Sequence, residues 1–394
     1  MSRIPILLMS DGITSPTGLG RITRELAQRI HVNLSETFEL GTLGYGGNTS
    51  REYPWQQYSI TKMSNWAVND LPAVWKDFAG DRRGVLMSIW NPSWLPWLAN
   101  PTLLPKGDLK NMLLSDPFEK WLYAPIDAEG PNGKLCTEVG TILKGFDRVL
   151  AYTDWAAKMI NCTNGLPEGT TEHLPHGIDT KVFYPRDKKE AREGFVKRVV
   201  GADLPGIKPD VFLVGIVATN TQRKDWGLAF EACAELLSHG ANVGLWIHTD
   251  QMKKHWNLEE LSRAFGMEGR IIPSNIVLSD EDMAWAYSAC DVVWGVGSGE
   301  GFGYCPMESL ACGVPVVSGD YAAAAEIIPK QYLVKPTGFY WDGFYANRRP
   351  IFSAHEWATV TLRAAYQKAA VPDYIKWDVC WPEWEQWFLA GVNG

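Results

Sequence analysis

Two glutamates, Glu300 and Glu308, flank a glycine-rich turn in the stretch GSGEGFGYCPME at residues 297–308. A turn that only reverses the chain needs neither carboxylate. The apolar run CDVVWGVG before the turn predicts a buried strand, and Pro306 is expected at the first position of the helix that follows. The free amide groups and the dipole at the start of such a helix favour a phosphate group. The stretch therefore predicts a phosphate site with two carboxylates beside it.

Each carboxylate suits a different partner. Glu308, near the third position of the predicted helix, offers two acceptor oxygens that match the vicinal hydroxyl groups of a ribose. Glu300, on the loop, is placed to reach sugar hydroxyls or to stabilise positive charge at an anomeric carbon. The plainer alternative is that Glu308 only complements the helix dipole and that Glu300 is a solvated loop residue. Cys305 at the expected cap is a poor capping-box partner, which counts against that alternative.

Short apolar runs alternate with helical patterns along the chain. The strands and helices that they predict must position the two carboxylates and the phosphate-binding turn. IPILLMS precedes GRITRELAQRI near the start, and VFLVGIVAT precedes WGLAFEACAELLSHG in the second half. This alternation predicts parallel sheets in a doubly wound α/β fold, which binds ligands beyond the carboxyl ends of its strands. We expect a first domain at 1–185, an interdomain linker region at 186–210, a second domain at 211–372, and a C-terminal helix at 373–394 that packs on the first domain.

Composition limits the class of protein. The 394 residues suffice for two domains, and 46% apolar with 21% charged residues is typical of a soluble globular protein. No apolar run approaches the ~20 residues of a membrane span, so no integral membrane segment is expected. Seven cysteines without a CxxC pair argue against disulfides and indicate a cytoplasmic protein. The net charge of −8 argues against a broad electrostatic contact with nucleic acid.

The segment EGFGYCPMESLACGVPVV resembles the E-x7-E signature of retaining GT-B glycosyltransferases, particularly glycosyltransferase family 4. The resemblance extends in the same order and spacing to three further segments: VGIVATNTQRKDWGLAFEACAEL, LSDEDMAWAYSACDVV and PHGIDTKVFYP. It implies two Rossmann-like domains that face a cleft, with a C-terminal helix crossing back to the first domain. It also implies transfer of a hexosyl group from a nucleotide diphosphate sugar, with UDP-sugar favoured, to a hydroxyl acceptor with retention of configuration.

The resemblance implies a role for each residue of the turn. Glu308 would bind the ribose of the sugar nucleotide, and Glu300 would lie at the donor sugar as a catalytic residue. Four neighbouring residues would contact the donor through their backbone, two at the sugar hydroxyls and two at the phosphates: Phe302 and Gly303, then Tyr304 and Cys305.

Arg223 and Lys224 form a basic pair that, taken alone, is typical of an exposed turn before a helix. By resemblance they would be catalytic residues that neutralise the diphosphate and stabilise the charge that builds on it as it leaves, as a divalent metal does elsewhere. Many family members carry a further arginine about six residues before the lysine, at the position of Ala218. We expect either that fewer charges hold the diphosphate or that Asn220 substitutes.

The first domain offers weaker candidates. Gly18 and Gly20 lie in a turn that, in members of the family, contacts the donor phosphate or the acceptor. A tight turn between strand and helix explains the two glycines equally well. Asp127 is a catalytic candidate because related enzymes place His or Asp near the donor sugar at this point. A turn aspartate that accepts bonds from its own backbone is the alternative. His176 is expected to be a crossover residue only.

The acceptor is left open by the sequence. Trp90, Trp94 and Trp97 lie in a proline-rich segment and could stack on a sugar or a base, although most tryptophans are core residues. A glycan, a lipid or a small molecule is the expected acceptor. Hydroxymethylated DNA is an alternative that these tryptophans and the basic run at 186–198 favour. A sugar-nucleotide epimerase and a non-catalytic sugar-nucleotide-binding protein on the same scaffold are two further alternatives.

No catalytic metal and no cofactor are expected, because the nucleotide diphosphate sugar is itself the co-substrate. The sequence DED at 280–282 matches the D-x-D metal motif of a different glycosyltransferase fold. However, Ser279 followed by Asp282 is a capping box at the start of a helix, and this predicts a structural role for the acidic residues.

Overall fold

The computed structural model of the protein describes residues 3–46, 52–62, 66–201, 210–343 and 345–393. The chain divides into two compact units, each with its own parallel sheet. The first unit contains Met1–Pro175, Gly343–Asn347 and Trp381–Gly394, and the second contains His176–Asp342 and Arg348–Cys380.

Strands and helices alternate through the first unit. Its strands are β1 (Ile4–Asp11), β2 (Phe38–Tyr45), β3 (Gln56–Ser59), β4 (Gly84–Ser88), β5 (Phe118–Ala124), β6 (Arg148–Ala151) and β7 (Glu172–His173). Its helices are α1 (Gly18–Asn33), α2 (Leu71–Ala79), α3 (Pro96–Ala99), α4 (Asp108–Leu114), α5 (Thr137–Leu143) and α6 (Asp154–Asn164). The strands form a parallel sheet in the order β3-β2-β1-β4-β5-β6-β7. The order reverses between β1 and β4, so a crevice is expected at their carboxyl ends.

Strand β1 shows why this sequence forms a parallel sheet. Its residues 6–9 are completely buried, as expected for a central strand that helices cover on both faces. Ile6 pairs with Leu40 of β2 on one side and Val85 of β4 on the other. Helix α1 then covers the sheet with buried residues at helical spacing: Ile22, Leu26 and Ile30.

The second unit repeats this plan. Its strands are β8 (Phe212–Val217), β9 (Val243–His248), β10 (Ile271–Ser274), β11 (Val292–Gly295), β12 (Val316–Gly319) and β13 (Leu333–Val334). Its helices are α7 (Lys188–Phe195), α8 (Trp226–Ser238), α9 (Leu258–Ala264), α10 (Asp280–Ala289), α11 (Tyr304–Ala311), α12 (Ala322–Ile327) and α13 (Ala354–Ala364). The sheet is parallel, in the order β10-β9-β8-β11-β12-β13. Two more strands, β14 (Gly338–Asp342) and β15 (Asn347–Ile351), form a separate two-stranded sheet.

The chain passes from the first unit to the second between Pro175 and His176, not within the predicted linker at 186–210. Residues 186–201 belong to the second unit, where α7 packs against α10, and residues 202–209 lie outside the described residues. Three arginines of this stretch form ion pairs with residues distant in sequence: Arg186 with Glu281, Arg192 with Asp291 and Arg198 with Asp282. These partners, which the local composition does not reveal, correct the predicted boundary.

The last helix, α14 (Trp377–Asn393), contributes its residues from Trp381 onward to the first unit. Trp384 is fully buried there, and its indole Nε1 donates to the carbonyl of Pro175 at 2.9 Å. The guanidinium of Arg148 lies 4.0 Å from the ring centre of Trp387. From Trp381 onward, this helix is therefore part of the first unit, and Trp384 belongs to its core. Within the described residues, no helix combines the length and the apolar character that crossing a bilayer requires.

Replacement of Trp384 by alanine tests this packing. The change leaves a large cavity and an unpaired carbonyl, so the free energy of unfolding should fall by about 3–5 kcal/mol. The urea midpoint of unfolding measures this loss. Gln386→Ala, at an exposed position of the same helix, should change stability by no more than about 0.5 kcal/mol. Equal midpoints for the two variants would contradict the packing.

Candidate functional site

The sheet of the second unit reverses its strand order between β8 and β11. Two loops follow these strands at their carboxyl ends, one at 218–225 and the other at 296–303. Doubly wound sheets bind ligands at this switch point, because the two crossover helices leave in opposite directions and a crevice opens between them. Both sequence motifs, the basic pair and the glycine-rich turn, lie in these two loops.

Glu300 joins the two loops through ion pairs with both predicted cations. Its Oε1 accepts a hydrogen bond from the ammonium group of Lys224 and lies 2.9 Å from Nη1 of Arg223. Arg223 also donates to the carbonyl of Gly299. One carboxylate therefore pairs with two cations that are adjacent in sequence, and it holds both at the crevice.

The same contacts decide the ionisation of Glu300. Burial alone raises the pKa of its carboxyl, but the charges and hydrogen bonds of Arg223 and Lys224 outweigh burial and lower the pKa to about 2. Glu300 is therefore an anion at neutral pH. It can stabilise positive charge, but it has no proton to give as a general acid.

Glycine is required in this turn for conformational reasons. Gly299 has φ of 136° and Gly303 has φ of 95°, values that residues with a side chain rarely adopt. Between the strand and these glycines, the amide of Ser298 donates to the carbonyl of Arg223 at 3.0 Å. The amide of Ala323 donates at 3.4 Å to the carbonyl of Glu300. The turn is therefore fixed to its neighbours by backbone bonds.

Helix α11 begins at Tyr304, two residues before the predicted start at Pro306. Gly303 occupies the cap position, and Pro306 is tolerated at the third helical position because its missing N–H has no acceptor within the helix. Glu308 is consequently the fifth residue of the helix rather than near the third, and it is only 3% exposed. The first-turn amides at Tyr304 and Cys305 belong to the helix start that faces the crevice.

Tyr287 and Glu308 are buried under this helix start, and Cys305 is half-buried beside them. Burial, the Cys305 thiol and the Glu308 carboxylate raise the pKa of Tyr287 well above its ordinary value. Burial and the neighbouring Glu308 raise the pKa of the Cys305 thiol to about 12, so this thiol stays protonated. Cys305 can therefore serve the site through its backbone, but its sulfur is not a nucleophile.

His176 packs against the turn, a contact that sequence reasoning missed. Its ring centre lies 3.8 Å from that of Phe302 and 4.9 Å from that of Tyr304, and it is 2% exposed. It therefore supports the predicted sugar-contacting loop, whereas the sequence assigned it only a crossover role. The sequence signal for His176 was its place in the PHGIDTKVFYP segment. That segment does not reveal which residues the imidazole ring contacts.

Asn220 does not substitute for the missing arginine. It is completely buried, and its Nδ2 donates to the carbonyls of Gln251 and Trp256 at 2.9 and 2.8 Å. Its Oδ1 accepts from the amide of Trp256 at 2.9 Å, and its own amide donates to Asp250. Because these bonds use both amide hydrogens of the side chain, Asn220 holds the 250–256 loop in place and has no donor left for a diphosphate.

A further buried cation reaches the turn from β15 and was also missed. Arg349 donates from Nη1 to the carbonyl of Ser298 at 3.4 Å and from Nε to Asp342 at 3.3 Å. Tyr340 of β14 lies 3.5 Å from the Ser298 hydroxyl. The two-stranded sheet β14/β15 therefore supports the turn at Ser298. No motif in the sequence indicates this, because Arg349 is 51 positions from its partner.

The first-unit candidates lie at the carboxyl ends of β1, β4 and β5. Gly20 is in the first turn of α1, where its amide donates to the Thr17 hydroxyl at 3.0 Å and a side chain would collide with the Gly12 carbonyl. Gly18 begins the same helix and follows Thr17, whose hydroxyl donates to the carboxylate of Asp11 at 2.6 Å. This carboxylate disfavours a phosphate here, so the tight-turn interpretation suits both glycines better. Asp127 is half-buried on the loop after β5.

The three tryptophans of the proline-rich segment have different environments. Trp90 is fully buried, and its Nε1 donates to Asp11 at 3.1 Å. Trp97 is also a core residue, at 7% exposure. Trp94 is half-buried and stacks on Trp66 with ring centres 4.2 Å apart. Burial therefore removes Trp90 and Trp97 as acceptor-stacking residues, and only Trp94 keeps an accessible part.

Asp282 of the D-x-D sequence has the predicted structural role. The Ser279 hydroxyl accepts from the amide of Asp282 at 3.1 Å and caps α10. Asp282 also pairs with Arg198 at 2.9 Å. The helix cap and this ion pair account for Asp282.

The architecture is that of known glycosyltransferases. The structure of Anabaena Alr3699/HepE in complex with UDP and glucose matches with a TM-score of 0.63 over 93% of this chain and 90% of that chain, at 14% identity. Sucrose-phosphate synthase from Thermosynechococcus elongatus matches with a TM-score of 0.63 over 100% of both chains, also at 14% identity. The fold is the GT-B glycosyltransferase fold, which confirms the fold expected from the sequence.

Residues 208–341 match the family model described as glycosyl transferases group 1. The chain is 28% identical over 207 residues to the lipopolysaccharide core biosynthesis mannosyltransferase LpsB of Rhizobium meliloti, covering 48% of this chain and 49% of that protein. It is 26% identical over 196 residues to a D-inositol 3-phosphate glycosyltransferase of Mycobacterium bovis, covering 49% of this chain and 38% of that protein. The chain thus spans about half or less of the length of these curated relatives.

The ionisation of Glu300 predicts a pH dependence of stability. Because its folded pKa lies below the value of ~4.3 expected in the unfolded chain, its contribution is present above that value and is lost as the pH falls toward about 2. Glu300→Gln should therefore be less stable than the wild type at neutral pH and lose less stability between about pH 6 and pH 3. Urea midpoints at the two pH values measure this. Glu231→Gln, at an exposed position, should lose as much stability as the wild type. An equal change of the urea midpoint with pH in the wild type and in both variants would contradict the ion pair.

Replacement of Arg349 tests the support of the turn. Lysine cannot span Ser298 and Asp342 with the geometry of a guanidinium group, so Arg349→Lys should speed amide exchange in 296–303 by about tenfold. Hydrogen–deuterium exchange with mass spectrometry reports this. Arg348→Lys is the matched control, because that guanidinium lies 3.7 Å from the Phe339 ring centre instead. Equal protection in both variants would refute the contact.

Proposed function

We propose that this chain is a retaining, metal-independent glycosyltransferase that moves a hexosyl group from a nucleotide diphosphate sugar, with UDP-sugar favoured, to a hydroxyl acceptor. The observation that carries the proposal is the pairing of Arg223 and Lys224 with Glu300 at the switch point of the second sheet. The group 1 family match over 208–341 and the HepE structure in complex with UDP and glucose support it.

The donor diphosphate would bind between the basic pair and the start of α11. Arg223 and Lys224 carry two positive charges, of which Glu300 neutralises one, so the pair keeps a net positive charge for an anionic ligand. When a diphosphate enters, its oxygens compete with Glu300 for the same donors. The helix-start amides near Tyr304 and Cys305 add further hydrogen-bond donors, as helix N-termini do for phosphate groups.

Glu308 would bind the ribose from inside the unit. It is 3% exposed on α11, beside Tyr287, so its position is fixed by packing and it is shielded from bulk water. A carboxylate in such surroundings bonds strongly to vicinal hydroxyl groups, which replace its water. This role accounts for a buried acidic residue in an otherwise apolar helix.

The chemistry follows from the charges. The bond between the anomeric carbon and the diphosphate oxygen breaks, and Arg223 and Lys224 stabilise the negative charge that develops on the leaving group. The anionic Glu300 stabilises positive charge on the sugar. The acceptor oxygen then bonds to the anomeric carbon from the same face, and its proton passes to the oxygen of the departing phosphate. Protein cations thus take the role that a divalent metal has in other glycosyltransferases.

The acceptor we propose is a glycan, a lipid or a small molecule with a free hydroxyl group. Two sequence features had favoured hydroxymethylated DNA, and a large part of each has a structural explanation. Trp90 and Trp97 are core residues. The basic run at 186–198 is engaged in ion pairs: Arg186 with Glu281, Arg192 with Asp291 and Arg198 with Asp282.

A thermal-shift panel of UDP-, GDP- and ADP-sugars tests the donor site. A donor that binds only the folded protein raises its melting temperature by mass action, and we expect the largest shift with a UDP-sugar. Glu308→Ala should abolish the shift, whereas the exposed Glu231→Ala should keep it. An unchanged shift in Glu308→Ala would refute the ribose role. Interconversion of donor sugars without an acceptor would identify an epimerase instead.

A further inference from the structure

Three potential metal ligands lie together on the second unit, outside the loops of the proposed donor site: Glu235, His239 and His355. Glu235 is in the last turn of α8, and His239 is the residue that ends this helix. His355 is the second residue of α13, which packs against α8. Two helices that are separated by more than a hundred residues of sequence therefore bring two imidazoles and a carboxylate to one surface.

The distances suit a single ion. Nδ1 of His355 lies 3.3 Å from Oε2 of Glu235, and one ligand atom from each of the three residues falls within 4.8 Å of the others. A tetrahedral zinc ion with bonds of about 2.0–2.1 Å holds its ligand atoms about 3.4 Å apart. The His355–Glu235 pair already has this separation. The ring nitrogen of the exposed His239 lies within 4.8 Å of both other ligand atoms and has to move closer to them to complete a three-ligand set.

The helices hold these ligands in place. Glu235 and His239 are four residues apart, so both side chains project from the same face of α8, and the His239 amide donates to the Glu235 carbonyl at 3.1 Å. On α13, the Ser353 hydroxyl caps the helix by accepting from the amide of Glu356 at 3.3 Å, which fixes the backbone on both sides of His355. The carbonyl end of α8 also favours a cation electrostatically.

We propose that Glu235, His239 and His355 form a site for a divalent transition metal, with Zn²⁺ as the best match, that joins α8 to α13. Two imidazole nitrogens and one carboxylate oxygen suit zinc, nickel or copper, whereas magnesium and calcium prefer oxygen ligands alone. Three protein ligands leave a fourth position for water. The role of the ion is structural, because it connects two helices that pack side by side and takes no part in the donor chemistry.

A metal that binds only the folded unit stabilises it by mass action. The test uses the full chain without a histidine tag, in a Cys162→Ser background that removes the exposed thiol. Isothermal titration calorimetry with ZnCl₂ should show one equivalent bound, and Zn²⁺ should raise the melting temperature. MgCl₂ at the same concentration should do neither.

His355→Ala and His239→Ala should each weaken Zn²⁺ binding by about tenfold or more and remove the rise in melting temperature. His255→Ala, at an exposed histidine of the same unit, is the matched control and should bind as the background protein does. All three histidines are exposed, so the variants are expected to fold. Binding that survives His355→Ala, or an equal response to Mg²⁺, would overturn the proposal. Neither result depends on the donor or on transfer activity.

Discussion

The ion pairs of Glu300 with Arg223 and Lys224 are the interaction on which the candidate site depends. Two adjacent cations at the end of a buried strand repel each other and lose hydration, and a single carboxylate offsets both costs. The carboxylate comes from the loop of the neighbouring strand. The pairing therefore also fixes the separation of the two loops across the crevice, where the proposed diphosphate ligand would need preformed donors.

The surroundings of the turn are arranged to keep Glu300 in this position. A backbone hydrogen bond from Ser298 to Arg223 fixes one end of the turn, and Arg349 holds the Ser298 carbonyl from β15. At the other end, the ring of His176 packs on Phe302 just before the helix start. These contacts come from three separate parts of the second unit. They give a short glycine-containing loop, which would be flexible alone, one defined conformation.

The two units use the same topology with opposite charge. In the first unit, the switch point between β1 and β4 carries the carboxylate of Asp11, which accepts from Thr17 and Trp90. In the second, the switch point between β8 and β11 carries the basic pair. Since a doubly wound sheet supplies the crevice in both cases, the residues in the loops decide which ligand charge is favoured. The positive site in the second unit is the one suited to a diphosphate.

The sequence by itself determined the features that depend on neighbouring residues. Apolar runs between helical patterns predicted the parallel sheets, the E-x7-E spacing indicated the two glutamates, and Ser279 with Asp282 predicted a helix cap. Only the tertiary structure decided which of several partners a polar side chain takes. Asn220 is consumed by the 250–256 loop, and Arg349 reaches Ser298 from 51 positions away. Such partners follow from how strands and helices pack, and local composition carries no record of contacts between distant residues.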